Sequence, residues 1–169
     1  MMTHADRSQW KPKSIFSIEE LKAELDKIES AHQAGTLTTA GGWTVGQNLE
    51  HCAKFIGFTF DGFDGKAPLP IRLIGVLVLK RMMKNPNSQM KPGIKLPKKA
   101  ASMLPADEVS IEDGLTHLRA QIARIDAGEQ MLQDSPLLGK MTHELWTLVH
   151  LNHCRMHFGF FDYGSAQSA

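Results

Sequence analysis

The stretch from Thr142 to Tyr163, THELWTLVHLNHCRMHFGFFDY, limits the fold more than any other part of the chain. Read as a helix with 3.6 residues per turn it is apolar on most sides. A helix of that kind is buried among other elements rather than laid on a surface. It carries His150, His153 and His157 along one face, with Trp146 a turn earlier. Buried imidazoles need polar partners, because an unpaired buried polar group costs about 1–3 kcal/mol. Hydrogen bonds to main chain or between rings meet that need, and so does a metal ion. His153 and His157 are four residues apart, a spacing at which two ring nitrogens converge on one ion. His150 and His153, three apart, are the competing pair. His150 and His157 lie about 10 Å apart along the axis, too far to share an ion. The helix therefore supplies two ligands, and a third must come from another element.

The rest of the chain reads as helices with clear starts. Residues 1–16 form an N-terminal arm with Trp10 and Phe16 as its large apolar anchors. Ser17-Ile-Glu-Glu20 is a capping box. The helix behind it runs to about Ala34, with Ile18, Leu21, Leu25 and Ile28 on one face and Gly35 as its stop. A second box, Thr44-Val-Gly-Gln47, opens a helix to about Gly62 whose apolar surface includes Leu49, Cys52, Phe55 and Ile56. His51 sits at the edge of that surface. Ile71 to Met83 reads as a shorter apolar helix, and Asn85 to Pro105, with four prolines, as a long irregular loop. Ser110-Ile-Glu-Asp opens the third long helix, whose apolar positions recur through Leu132 and carry it to about Gln133, weakened slightly at Gly114 and Gly128. Thr142 caps the last helix, and 164–169 is a polar tail. No strand pattern stands out. The expectation is an all-α fold: a four-helix bundle over 17–163 with a short extra helix and a long Pro/Lys-rich loop between helices 2 and 3.

Composition narrows the function classes. A net charge of +1 over 169 residues gives no dedicated nucleic-acid surface. Two cysteines are too few for a disulfide framework. The longest apolar run, Leu73 to Leu79, falls short of the roughly 20 residues that span a bilayer. The N-terminus shows no signal-peptide pattern, so the expected compartment is the cytoplasm, with no membrane partner. Charge is uneven, however. From Gly65 to Ala106 there is no acidic residue and there are nine Lys and Arg. That interval is either a solvated surface or an anion site. It lacks the interleaved aromatic residues on which single strands stack.

Two helices thus carry candidate ligands: His51 on the second, His153 and His157 on the last. Three neutral nitrogens hold a divalent first-row metal and leave positions open for water or substrate, whereas a closed structural zinc site takes four protein ligands. No carboxylates lie on the right faces for a second ion. Cys52 and Cys154 each follow a candidate ligand, and the 100° step takes both thiols off the ligand face into the core.

Trp43-Thr44 followed by Glu50-His51, then a final helix with Trp146 and His153-x-x-x-His157, resembles the DinB/YfiT-like superfamily of metal-binding bundles. Pro92-Gly-Ile-Lys-Leu-Pro97 and Leu138-Gly-Lys-Met-Thr142 look like one uncharacterised branch of it. The resemblance covers about residues 15–162. It implies a four-helix bundle, often a homodimer, with zinc, nickel or a similar ion on His51, His153 and His157. His150 stands outside that triad, as a supporting group or a replacement ligand. Characterised relatives include transferases and isomerases that use small thiols. The expected function is accordingly a metal-dependent enzyme that transfers or activates a small thiol, or hydrolyses a substrate. The alternative is a non-catalytic metal-binding bundle serving as sensor or interaction module. An anionic thiol needs cations at the pocket mouth, and Lys91 and Lys95, flanking Pro92-Gly93, are favoured over Lys98 and Lys99. A homodimer is expected from the resemblance and from Phe158, Phe160 and Phe161, an apolar surplus on the last helix.

Overall fold

The structure is a computed structural model that describes residues 5–85, 88–93 and 98–164. Its four long helices begin where side chains can reach back to the main chain. Ser17 accepts from the Glu20 amide while the Glu20 carboxylate accepts from the Ser17 amide, which starts α1 (Ile18–Gln33). After the two-residue strand β1 (Thr38–Thr39), Thr44 and Gln47 do the same for α2 (Val45–Asp61). Each box satisfies donors that a helix N-terminus otherwise leaves bare. Next, α3 (Leu69–Ile74), a π-turn at Gly75–Leu79 and α4 (Lys80–Met83) form one helical run. A 3-10 turn at Lys98–Met103 closes the long connection. Ser110 then caps α5 (Ile111–Asp126), and Thr142 caps α6 (His143–Phe158). Strand β2 (Phe161–Asp162) ends the described chain.

The fold is mostly helical. α1 and α2 each pack against both α5 and α6, so the four long helices enclose one core. Leu21, Leu25 and Ile28 enter it from α1, Leu49, Cys52 and Ile56 from α2, Leu118 and Ile122 from α5, and Trp146, Val149 and Phe158 from α6. The tightest pair is α2 and α5, because glycines face each other there. A Cβ on Gly114 would lie 2.8 Å from Leu49 Cβ and 2.9 Å from the Gly46 carbonyl, and one on Gly46 would lie 2.6 Å from the Ser110 carbonyl.

Two helix ends differ from the sequence expectation. α5 stops at Asp126, not near Gln133, because Gly128 takes φ +82° and turns the chain. Met131 and Leu132 continue the apolar period but sit in the following loop, the first buried and the second exposed. α6 stops at Phe158. Beyond it Phe161 and Asp162 extend and pair antiparallel with Thr39 and Thr38, strands too short to leave an alternating pattern. Phe158, Phe160 and Phe161 are buried within the chain itself and are no surplus.

The N-terminal segment lies along α6. Trp10 Nε1 donates to the Met156 carbonyl (2.9 Å), Lys11 N to Gly159 (2.9 Å) and Lys13 Nζ to Phe161 (2.9 Å). Arg155 donates to the Lys13 carbonyl (3.1 Å) and covers the Phe16 ring. Ile15, not Phe16, is the fully buried anchor.

Candidate metal centre

The packing of α2 against α6 brings the His51 ring against those of His153 and His157 on the last helical turns. Ring centroids stand 4.9 Å apart for His51 and His153, 4.8 Å for His51 and His157, and 4.5 Å for His153 and His157. One nitrogen from each ring lies within 4.8 Å of the other two. The Nε2 atoms of His153 and His157 are 3.2 Å apart. Two ligand nitrogens on a tetrahedral ion with bonds of about 2.0–2.1 Å are separated by about 3.3 Å.

Hydrogen bonds set which nitrogen is free. His51 Nδ1 is 2.6 Å from the Met103 carbonyl, which only accepts, so Nδ1 carries the proton and Nε2 keeps a bare lone pair. His157 Nδ1 is 2.8 Å from Asn48 Oδ1. The Asn48 amide is held that way round because its Nδ2 donates to the carbonyls of Thr44 (2.9 Å) and Trp43 (3.3 Å). His157 is therefore also protonated at Nδ1, with Nε2 bare. The Trp43 indole stacks on the His157 ring, centroids 5.7 Å apart and planes within 5°. Phe55 packs edge-on against His153 at 4.8 Å. His153 Nδ1 has no hydrogen-bond partner.

Burial keeps the cluster uncharged. Desolvation holds His153 and His157 well below the usual imidazole range, and each is further lowered by its neighbouring rings. His51 is lowered by burial, partly offset by its bond to Met103, with a lesser downward push from Lys54. Neutral imidazole is the form that ligates a metal, and an acceptor at the other ring nitrogen, which His51 and His157 have, is what such ligands need. The donor set, its bare nitrogens and its protonation state all fit a divalent ion.

His150 lies elsewhere. Its ring is stacked on Trp146 (5.5 Å, 11°) and meets Phe55 edge-on, while Nε2 points to Thr59 Oγ1 at 3.4 Å. Burial takes it down to about 3. It stands outside the three-ring group, and the i, i+3 pairing with His153 is not the one the rings adopt. No carboxylate joins that group among the described residues. Glu50 braces the chain instead: it accepts from the Ala106 amide (2.7 Å) and pairs with Lys54 (3.5 Å). Cys52 and Cys154 are buried off the ligand face, and burial, with Cys154 beside it, pushes the Cys52 thiol well up. Lys91 is exposed. Lys95 lies outside the described residues, as do the rest of Ile94–Pro97 and the side chains of Lys98 and Lys99.

Three supporting groups were not singled out in the sequence. Asn48 has a readable signal, a polar residue one turn before His51 on the same side of the helix. The Met103 carbonyl has none, since every residue has one. Phe55 was read as core and proves to be a wall of the site.

A family model described as "Protein of unknown function (DUF1569)" matches residues 10–163. No curated protein and no solved structure matches the chain.

Proposed function

The chain belongs to the DUF1569 family, proteins of unknown function, and from there we propose that it is a DinB/YfiT-like four-helix bundle that binds one divalent ion through Nε2 of His51, His153 and His157. One observation carries the reading. Two of the three rings are pinned at Nδ1 by acceptors, and one nitrogen of each ring lies within 4.8 Å of those of the other two. Three neutral nitrogens suit zinc or nickel, and they leave coordination positions unfilled.

When bound, such an ion lowers the pKa of a coordinated thiol or water and so supplies a nucleophile near neutral pH. The chain's own residues orient and exclude. Met103 and Asn48 hold two ligands in one tautomer. Trp43 and Phe55 wall the rings and keep bulk water from two sides. His51 is buried while His153 and His157 are half-buried, so the open side lies toward the last two turns of α6. A small-thiol transferase or a hydrolase is the activity that this arrangement suits. A binding module without turnover is the second reading. Among the described residues no carboxylate joins the three rings, which favours it, because hydrolysis at a metal usually enlists a general base.

Elemental analysis of the purified protein and of single His→Ala variants tests the site. One equivalent is expected in the wild type and in His150→Ala, with loss in His51→Ala, His153→Ala and His157→Ala. Full metal content in the last two sinks the assignment. A thiol-conjugation screen of the loaded protein then separates enzyme from module.

A further inference from the structure

The helical run from Leu69 to Met83 is unlike the other helices. Ile71, Leu73, Ile74, Leu77 and Val78 each leave half or more of their surface in solvent, and Leu69 three quarters. Steps of two, three and four residues point in different directions, so these side chains spread over more than half of the circumference. The run is held to the body along one narrow strip. Gly75 is buried there against the main chain of Leu137, and Lys80 Nζ donates to the Lys140 carbonyl. Contiguous exposed apolar surface on this scale marks an interaction site.

The breadth and the charge identify the partner. A protein surface takes one stripe of a helix, about 100° wide. Apolar side chains on several sides suit a medium that surrounds the helix. The cations lie beside them: Lys66, Arg81 and Lys84 are exposed and Arg72 half-buried, within a segment that has no acidic residue. A second copy would bring the same cations against these ones. The run is about 22 Å long, too short to span a bilayer, and no helix among the described residues is long and apolar enough to cross one. A helix lying in the surface needs no such length.

We propose that the Leu69–Met83 run is a membrane-docking element that lies in the headgroup region of an anionic bilayer, its aliphatic side chains inserted and Lys66, Arg72, Arg81 and Lys84 against the acidic headgroups. The expectation of no membrane partner rested on the missing span, which has no bearing on this mode. Co-sedimentation of the full chain tests it, with vesicles of phosphatidylcholine alone and of phosphatidylcholine mixed with phosphatidylglycerol. Binding is expected only to the mixed vesicles, and it should weaken as salt is raised. Leu73→Glu/Leu77→Glu should abolish it, and Arg81→Gln/Lys84→Gln should weaken it about fivefold for each cation removed. All four positions except Lys84, on the turn just beyond, lie on the exposed run, so an unchanged melting temperature is the control for folding. Failure to bind either vesicle, or equal binding to both, overturns the proposal. So does a wild-type dimer in light scattering that Leu77→Glu converts to monomer, because the face would then be covered by a second copy.

Discussion

At the scale of single residues, the proposed ligands are oriented by groups outside the three rings. Asn48 is the clearest case, since its amide is oriented by two carbonyls and in turn orients His157. Asn48→Ala leaves Nδ1 without its acceptor and the ring free to turn. Metal affinity should fall by about 10–100-fold, read by competition with a chromogenic chelator, while helix content by circular dichroism stays the same. Equal affinity in the variant would mean that packing by Trp43 alone fixes the ring. The three clustered histidines were singled out in the sequence: His153 and His157 share a face of one helix, and His51 stands at the edge of the apolar face of another. Asn48 was not, because its role depends on how α2 docks against α6, and nothing local encodes that. His150 shows the limit from the other side. It shares the stripe, yet Thr59, Trp146 and Phe55 claim it.

At the scale of elements, starts were legible and two stops were not. Ser17, Thr44, Ser110 and Thr142 cap their own helices within three residues, a purely local interaction. Gly114 and Gly128 both looked like mild weaknesses in one long helix. Gly128 ends it, and Gly114 lets α5 approach α2. The difference between the two lies in tertiary contacts and backbone angles that a period of apolar residues does not carry. Gly114→Ala should raise helix propensity locally and still destabilise the protein. The added methyl meets Leu49 and the Gly46 carbonyl at 2.8 and 2.9 Å. Overpacking of this kind costs about 1–3 kcal/mol, read from the shift in the urea midpoint. A stabilised variant would show that the crossing can open without loss.

At the scale of the whole molecule, four neutral imidazoles sit in the fold, and folding must keep them so. His51, His150, His153 and His157 all have native values below the usual one, His150 at about 3. The unfolded chain therefore binds more protons than the native one below about pH 6.5, and stability rises with pH across that window. Chelator-treated protein should hold its melting temperature above about pH 6.5 and lose it steadily on acidification below that point. A flat profile down to about pH 4 would mean that these rings are protonated in the native state. The helical class of the fold was readable because every long helix announces its buried face. The path of the N-terminal segment along α6 was not, since its hydrogen bonds go to main chain. The same kind of bond has a genetic consequence at the centre itself. The oxygen that orients His51 belongs to the backbone of Met103, so replacing that side chain leaves the acceptor in place. A deletion between α4 and α5 moves it. The site should be tolerant of spelling at that position and intolerant of changes in length.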